Sequence, residues 1–377
     1  MRQVKNFIGG EYQASSKGLV FDNIDPCTGN VIGQVHEATR EDVASAVEAA
    51  RAALKGPWGR MTDAERGEIL HAVADGIDRR FDEFLEAECA DTGKPASIAS
   101  HIDIPRGAAN FRVFADAVKS LSTEAFRMST PDGSGAFNIS VRKPKGVIGV
   151  ISPWNLPLLL MTWKVGPALA CGNTVVVKPS EETPTTTSLL GEVMNEAGVP
   201  AGVYNVINGM GPDSAGAFLT EHPGVDAITF TGETTTGEAI MRAAAKGVRD
   251  VSFELGGKNP ALVFADCDLD KAIEGTLRSV FANCGQVCLG TERVYVERSI
   301  FDEFVSRLAS EAGKYKLGLP GDRETDMGPL VSHKHREKVL SYYRLAVEEG
   351  AEVVPGGGVP DMPAELSGGA WVEPTIW

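Results

Sequence analysis

The sequence predicts an α/β fold, and three features of the chain indicate it. Helical patterns dominate residues 40–120. Four short, nearly continuous apolar runs follow, and because helical patterns separate them, they are typical of parallel strands buried on both faces of a sheet. A second α/β pattern begins after Lys258. The first set of strands is predicted at residues 146–152, 174–178, 204–207 and 227–230, and the second set at 261–264 and 294–296.

The elements before this sheet have clear local signals. Residues 1–35 alternate short apolar runs with turn residues, which predicts small strands or hairpins. Thr39 is suited to cap a helix whose apolar face repeats at helical spacing, and Thr62 with Glu65 resembles a capping box that opens a long helix. Residues 125–145 are polar and extended, with a turn at 131–133.

Composition restricts the class of protein. The 377 residues are enough for two or three domains. A net charge of −15 argues against nucleic acid or an anionic membrane as a partner. The six cysteines include no CxxC pair, so the sequence does not favour a metal site or a redox disulfide. Free cysteines are typical of proteins in the reducing cytosol. The first residues lack the apolar core of a signal peptide, and the longest apolar run is too short to cross a bilayer. We therefore predict a cytoplasmic location and no metal.

Three short motifs carry side chains suited to chemistry at a carbonyl. Cys288 lies in the run 281–293, after a turn that contains glycine. Glu254 ends a strand pattern and precedes Gly256 and Gly257, and Asn155 closes the strand near the middle of the chain. A thiol can add to a carbonyl carbon, a carboxylate can deprotonate water, and an amide can hold an oxyanion. By themselves these residues could equally be a buried cysteine, a salt-bridged glutamate and a turn asparagine.

Together the three motifs resemble the aldehyde dehydrogenase superfamily, and the resemblance extends from about residue 7 to residue 377. It implies an aldehyde dehydrogenase fold with a Rossmann-like NAD-binding domain, an oligomerisation β-arm and a catalytic α/β domain. The arm would pair with a neighbouring subunit in a homo-oligomer, a dimer or a tetramer. The expected ranges are 1–125 with 145–256 for the NAD-binding domain, 126–144 for the arm and 257–377 for the catalytic domain.

The resemblance also gives an expectation for the end of the chain. Members of the family continue beyond the point that matches Trp377, with a Glu-containing motif and the last strand of the oligomerisation sheet. The catalytic domain of this chain is therefore expected to be truncated at its C-terminus. Residues 371–377 are predicted as a strand that enters a core.

The resemblance implies a catalytic role for four residues. Cys288 would be the nucleophile and Glu254 the general base that activates water. The Asn155 amide and the main-chain N–H of Cys288 would hold the oxyanion. Lys164 matches a lysine linked to proton relay, with a structural ion pair as the alternative. Cys284 does not match the nucleophile position and is expected to be structural.

The cofactor implied by the resemblance is NAD. Residues 230–237 follow a predicted strand and open a helix, where backbone amides can hold a pyrophosphate. Many members have serine where Glu233 stands, so phosphate contact by the Glu233 side chain is not expected. Lys178 and Glu181 would bind the adenosine ribose, and a carboxylate there favours NAD over NADP. The expected cofactor residues are Ile151, Ser152, Trp154, Lys178, Ser180, Glu181, Gly211, Phe230, Thr231, Gly232, Glu233, Thr236 and Leu255.

Three segments resemble the branch of the family that oxidises muconic semialdehydes in bacterial aromatic catabolism. They are 101–110, 153–163 and 283–288. Such a substrate has an aldehyde at one end and a carboxylate at the other, and an arginine can clamp a carboxylate through two hydrogen bonds. Arg106, Asn155 and Trp163 are the expected substrate-binding residues. The alternatives are a solvated Arg106, an amino-substituted substrate, a broad aliphatic or betaine-type dehydrogenase, and a non-enzymatic NAD-binding or structural protein.

Overall fold

The computed structural model describes residues 2–377 and has an α/β architecture. Fourteen strands and twelve α-helices lie within these residues. In chain order they are β1 (Arg2–Val4), β2 (Asn6–Ile8), β3 (Glu11–Gln13), β4 (Val20–Ile24), β5 (Val31–His36), α1 (Arg40–Lys55), α2 (Asp63–Arg79), α3 (Phe81–Thr92), α4 (Ala96–Ala99), α5 (Asp103–Lys119), β6 (Ala125–Met128), β7 (Ala136–Ile139), β8 (Val147–Ile151), α6 (Pro157–Ala170), β9 (Thr174–Lys178), α7 (Thr185–Glu196), β10 (Tyr204–Val206), α8 (Ala215–Glu221), β11 (Ala227–Gly232), α9 (Thr234–Ala245), β12 (Asp250–Leu255), β13 (Asn259–Val263), α10 (Leu269–Phe281), β14 (Thr291–Val296), α11 (Phe301–Ala312) and α12 (His333–Glu348).

A seven-stranded sheet organises the larger part of the chain. Its order is β12-β11-β8-β9-β10-β2-β3, with β12 to β10 parallel and the β2-β3 hairpin added antiparallel at one side. Every residue of β8 and β9 is buried, which confirms the strands predicted from the continuous apolar runs. The chain order of the strands reverses between β8 and β11, and in open α/β sheets the crevice outside such a reversal is where ligands bind.

Helices cover both faces of this sheet. On one face α2, α5, α6 and α7 pack against alternate strand residues such as Val175 and Val177. On the other face α1, α8 and α9 pack against Val147 and Val176. Each fully buried aliphatic side chain contributes about 1.5–3 kcal/mol. Two such cores make the sheet a rigid support for the loops at its strand ends.

The predicted starts of α1 and α2 are confirmed. Thr39 and Asp42 form a capping box at the start of α1, and Thr62 and Glu65 form another at the start of α2. In each case the threonine side chain accepts from an amide of the first turn, and the acidic side chain accepts from the threonine amide. Both caps satisfy N–H groups that the helix itself cannot satisfy.

Three smaller sheets surround the large one. β1 and β4 flank β5, and β6 pairs with β7 in an antiparallel hairpin whose turn is closed by a bond from the Gly133 amide to the Thr130 carbonyl (2.9 Å). β13 and β14 form a parallel pair with α10 and α11 packed on one side. The predicted ranges of the domains and of the arm stay predictions.

The prediction of a strand at residues 371–377 is wrong, because this segment contains no strand. Its backbone hydrogen bonds join it to residues 354–358, with Glu373 N donating to Gly358 O (3.0 Å) and Val354 N donating to Ile376 O (2.9 Å). Neither segment has regular strand geometry, so these few bonds do not make a ladder. Trp371 is nevertheless buried, and its indole N–H donates to Cys27 O.

None of the helices within residues 2–377 combines the length and the apolarity that a membrane crossing needs.

Candidate active site

The predicted site residues converge on one edge of the large sheet. Ile151, Lys178, Gly232 and Leu255 are the last residues of β8, β9, β11 and β12. Since these strands are parallel and adjacent, their carboxyl ends meet at the same edge. Gly211 lies after β10, the next strand of the sheet. The remaining predicted cofactor residues lie in the four strands or in the segments that follow them: Ser152, Trp154, Ser180, Glu181, Phe230, Thr231, Glu233 and Thr236.

Cys288 lies half-buried in a turn between α10 and β14. The turn before it is strained, because Asn283 (φ 51°) and Cys284 (φ 59°) both occupy the left-handed region. Non-glycine residues in that region cost about 1–3 kcal/mol each. The segment is held by side chains from elsewhere, and the Asn259 amide donates to Cys288 O (2.8 Å) and to Gly290 O (3.0 Å). The main chain of Cys288 is thus fixed to the start of β13.

Asn155 is bonded directly to this turn. Its side-chain amide donates to the carbonyl of Gln286 (2.8 Å), two residues before Cys288. A primary amide has two N–H donors, so one remains available for a further acceptor. The structure therefore brings the loop after β8 and the Cys288 turn together, with an amide donor between them.

Glu254 and Lys164 both lie beside β11. Glu254 is exposed near the end of β12 and is paired in register with Thr231 of β11. Lys164 is buried on α6, and its ammonium donates to the Thr229 hydroxyl (3.0 Å). Burial lowers the pKa of Lys164 to about 8, and the charge of Glu254 opposes this shift. The two side chains are therefore close enough to interact, and Lys164 can change its protonation state near neutral pH.

Cys284 is unsuited to act as a nucleophile. Its sulfur lies against the carbonyls of Gly328 (3.1 Å) and Pro329 (3.3 Å). Burial raises the pKa of the Cys284 thiol to about 12. Since the thiolate is the reactive form, the prediction of a structural role for Cys284 agrees with its environment.

The Lys178 ammonium already has a protein acceptor for each of its three donors. It donates to Pro179 O and Gly209 O (both 2.7 Å) and to the carboxylate of Glu181 (3.4 Å). Burial lowers the pKa of Lys178, and the Glu181 charge acts in the opposite direction. A ribose hydroxyl would therefore have to replace the long contact with Glu181.

The predicted pyrophosphate loop has the expected local geometry. Glu233 precedes the first residue of α9, but its side chain does not cap that helix. Instead it forms an ion pair with Lys338 of α12 (2.7 Å). The free amides of the first turn of α9 remain a favourable place for an anion.

Two further features of this edge fit a dinucleotide. The hydroxyl of Thr231 is buried and has no hydrogen-bond partner among the described residues. A side chain added at Gly211 would meet no atom within 4 Å, so the chain leaves open space there. The unpaired hydroxyl and the free helix amides are suited to a phosphate, and the open space at Gly211 leaves room near the ends of the strands.

The neighbours of this edge on α12 were not predicted. His335 lies against the ring of Trp154 at a centroid distance of 4.8 Å, and Lys338 pairs with Glu233. Both are separated from their partners by more than a hundred residues. No local pattern in α12 indicates these contacts, because a polar helical face looks the same whether it meets solvent or a cleft.

Arg106 and Trp163 lie on α5 and α6, which pack together behind Asn155. Arg106 is exposed and lies one turn after Asp103 at the start of α5. The next residue, Gly107, is so close to Leu158 that an added Cβ would lie 2.8 Å from its side chain. This close approach places the exposed Arg106 beside the beginning of α6, three residues after Asn155. Trp163 is 44% exposed.

Among residues 2–377, no group of three or more histidine, cysteine or carboxylate side chains is arranged to hold a metal ion.

Comparisons with known proteins show the family to which the chain belongs. The family model described as the aldehyde dehydrogenase family matches residues 12–377. The chain is 74% identical over 377 residues to a 2-hydroxymuconic semialdehyde dehydrogenase of Pseudomonas sp. (strain CF600), covering all of this chain and 78% of that protein. It is 56% identical to a 2-aminomuconic 6-semialdehyde dehydrogenase of Pseudomonas sp., covering all of this chain and 76% of that protein. Among solved structures, the NAD+ complex of an aldehyde dehydrogenase from Bacillus cereus is 39% identical with a TM-score of 0.94, covering 99% of this chain and 74% of that one.

Proposed function

This chain belongs to the aldehyde dehydrogenase family, and from that premise we propose that it oxidises 2-hydroxymuconate 6-semialdehyde to the dicarboxylic acid with NAD. The observation that carries the proposal is the 74% identity to a 2-hydroxymuconic semialdehyde dehydrogenase over the whole chain. The reaction belongs to the breakdown of aromatic compounds. The site supplies a thiol, an amide donor, a carboxylate and a titratable lysine at one sheet edge, which are the groups that such an oxidation needs.

Cys288 begins the reaction by adding its thiolate to the aldehyde carbon. The carbonyl oxygen becomes an alkoxide, and the free N–H of the Asn155 amide and the main-chain N–H of Cys288 stabilise it. One fixed donor of this kind contributes ~3–4 kcal/mol to the transition state. The bond from Asn155 to Gln286 O supports this role, since it fixes the donor relative to the nucleophile turn.

When bound, NAD supplies the acceptor for the hydride that the thiohemiacetal loses, so that a thioester remains on Cys288. Glu254 then takes a proton from water, and the resulting hydroxide attacks the thioester carbon. The carbon–sulfur bond breaks, the acid leaves, and Cys288 is again a thiolate. Lys164 relays the proton away from Glu254, which is consistent with its pKa of about 8 and with the influence of Glu254 on it.

The carboxyl ends of β8, β9, β11 and β12 would hold the cofactor. The first turn of α9 and the Thr231 hydroxyl would hold the pyrophosphate, and Glu181 together with Lys178 would bind the ribose. A carboxylate at the ribose repels a 2′-phosphate, which favours NAD over NADP. Trp154, Gly211 and Leu255 line the groove. The ion pair between Glu233 and Lys338 supports the view that Glu233 does not contact phosphate, since its charge is already neutralised.

Arg106 would bind the carboxylate at the far end of the substrate. It is exposed on α5, and the next residue, Gly107, packs against Leu158 at the start of the helix that follows Asn155. A guanidinium binds a carboxylate through two parallel hydrogen bonds, which fixes the direction of the substrate as well as its position. Trp163, exposed one helix away, would form an apolar wall of the substrate channel.

We further propose that the enzyme is a cytoplasmic homo-oligomer in which the β6-β7 hairpin is the arm that joins subunits. Phe126, Phe137 and Ile139 of this hairpin are more than half exposed, and exposed apolar strands favour contact with another chain. We propose the same domain ranges as those expected from the sequence: 1–125 with 145–256 for the NAD-binding domain, 126–144 for the arm and 257–377 for the catalytic domain.

A second candidate substrate is 2-aminomuconate 6-semialdehyde. The 56% identity to a 2-aminomuconic 6-semialdehyde dehydrogenase favours it, and the two compounds differ only in a hydroxyl and an amino group. Both have the terminal carboxylate that Arg106 would bind.

A substrate panel tests the proposal. NADH formation is compared for the hydroxy- and amino-muconic semialdehydes, propanal and betaine aldehyde. The proposal expects the highest kcat/KM for the hydroxymuconic compound. A higher kcat/KM for the amino compound would make 2-aminomuconate 6-semialdehyde the substrate. A higher kcat/KM for propanal or betaine aldehyde would reject a muconic substrate.

A further inference from the structure

A cluster of buried ionisable side chains lies next to the Asn155 backbone and has no part in the reaction described above. Glu88, Lys94 and Asp103 are each at most 1% exposed. The Lys94 ammonium donates to the Asp103 carboxylate (2.7 Å) and to the main-chain carbonyl of Asn155 (3.0 Å). The cluster therefore touches the oxyanion donor through its backbone.

A buried ion pair is a weak source of stability. The cost of removing two charges from water often equals or exceeds their attraction, and well-packed apolar residues frequently stabilise a protein as much. The Lys94–Asp103 pair thus needs a reason other than stability. Its distinctive feature is the third member, the carbonyl of Asn155, which receives a charge-assisted hydrogen bond that an apolar pair could not provide.

The same carbonyl receives a second hydrogen bond, from the segment before Cys288. The Asn283 side chain donates to Asn155 O (2.9 Å) and to Gln286 O (3.3 Å). Asn283 lies in the strained turn before Cys288, where its φ is 51°. Its side chain therefore connects the nucleophile turn to the backbone of the oxyanion donor.

Glu88 completes the support. Its carboxyl accepts a hydrogen bond from Leu158 N (3.3 Å) in the first turn of α6. The backbone from Asn155 onward is thus restrained: the carbonyl of Asn155 by Lys94 and Asn283, and the following helix start by Glu88. A restrained backbone limits the directions in which the Asn155 side chain can present its free N–H.

We propose that Lys94, held in place by Asp103, and Asn283 are positioning residues that fix the oxyanion donor Asn155 through its main-chain carbonyl. The inference rests on the role of Asn155 in the proposed function. Loss of either bond lets the Asn155 peptide rotate, and a displacement of about 1 Å at a catalytic group can lower a rate by about 100-fold.

The test is a double-mutant cycle. Lys94→Met combined with Asp103→Asn removes the donor without leaving an unpaired charge, and it is made with and without Asn155→Ala. The matched control is Lys119→Met combined with Asp116→Asn, the same two changes at an exposed ion pair involving α5. A second variant, Asn283→Gly, removes the other donor while glycine accepts the positive φ without strain.

Two readouts separate positioning from general damage. One is kcat/KM for aldehyde oxidation. The other is acylation of Cys288 by p-nitrophenyl acetate, an ester whose attack also forms an oxyanion but releases p-nitrophenolate without a hydride acceptor. The dissociation constant for NAD is measured in parallel, because a distorted sheet edge would weaken it.

The proposal expects a loss of about 10- to 100-fold in both rates for the Lys94 and Asn283 variants, with an unchanged NAD dissociation constant. In the Asn155→Ala background the same changes should alter the rates by no more than about twofold, and the control variant should match the parent. An equal loss with and without Asn155, or no loss at all, overturns it.

The ester assay tests the positioning of Asn155 whichever aldehyde is the substrate. If the protein oxidises none of the aldehydes, the proposed function fails, while the ester assay still reads the positioning of Asn155. If the Lys94 variant does not fold, Asn283→Gly carries the test with the same two expected results.

Discussion

The side-chain amide of Asn155 donates to the carbonyl of Gln286 at 2.8 Å, and this bond joins the loop after β8 to the turn that carries Cys288. The two loops are separated by more than a hundred residues and belong to different sheets. Their contact means that the oxyanion donor and the nucleophile move as one unit. The following predictions start from this arrangement.

Replacing Asn155 with alanine should lower kcat/KM by about 100- to 1,000-fold, because it removes one donor to the alkoxide. Steady-state NADH formation measures this loss. Alkylation of Cys288 by iodoacetamide forms no oxyanion, so its rate should stay close to that of the parent. A parallel loss of alkylation would mean that Asn155 controls the thiol itself.

Glu254→Gln should separate the two halves of the reaction. Acylation does not need the base, so rapid mixing should show a burst of about one NADH per Cys288, followed by slow turnover. Glu274→Gln, at an exposed glutamate on α10, is the control and should turn over normally. Absence of a burst, with both phases slowed alike, would contradict the assignment of Glu254 to water activation.

Deacylation should depend on the protonation of Lys164. Burial lowers the pKa of Lys164 to about 8, so raising the pH through that value produces a neutral amine that can accept the proton from Glu254. The rate of thioester hydrolysis in single-turnover experiments should therefore rise around pH 8. In Lys164→Met this rise should be absent. A rise that persists in the variant would assign the titration to another group.

The buried Glu88 should make stability fall as pH rises. Burial, reinforced by the charge of Asp103, raises the pKa of Glu88 from 4.5 to about 8. Between these values the folded protein keeps a proton that the unfolded chain loses, so the free energy of unfolding decreases with pH. Glu88→Gln keeps an acceptor for Leu158 N but removes the titration, so its Tm should fall less between about pH 5 and about pH 8 than that of the parent. The control Glu86→Gln, exposed on the same helix, should keep the slope of the parent.

Several parts of the fold could be predicted because their signals are local. The continuous apolar runs of β8 and β9 follow from burial on both faces of the sheet, and the capping boxes at Thr39 and Thr62 need only four residues each. The prediction of a strand at residues 371–377 is wrong because strand formation depends on contacts with other parts of the chain. The aromatic and β-branched residues of this segment suit a strand, but a strand also needs a regular ladder with a partner, and no pattern within seven residues shows whether one forms.

The residues of the candidate site also fall into two groups, those that local motifs predict and those that they do not. Cys288, Glu254 and Asn155 stand in recognisable motifs, so they could be proposed from sequence. The parallel sheet places Glu254 and Asn155 at the same strand ends, and the bond from Asn155 to Gln286 O brings in the turn that carries Cys288. Lys94 follows Thr92 and Gly93 in what looks like a solvated loop. Its bond to Asn155 spans 61 residues. The pair of Glu233 and Lys338 spans 105. Such long-range polar contacts leave no periodic trace in the chain.

The most direct test of the proposed function compares kcat/KM for 2-hydroxymuconate 6-semialdehyde and propanal in the parent and in Arg106→Ala. Arg112→Ala, on the same helix but paired with Asp75 and Asp78, is the control. The parent should strongly prefer the muconic compound, and Arg106→Ala should lose about 10- to 100-fold on it alone, since a hydrogen bond to a charged group contributes ~1.5–3 kcal/mol. A parent that oxidises propanal as well as or better than the muconic compound would contradict the account.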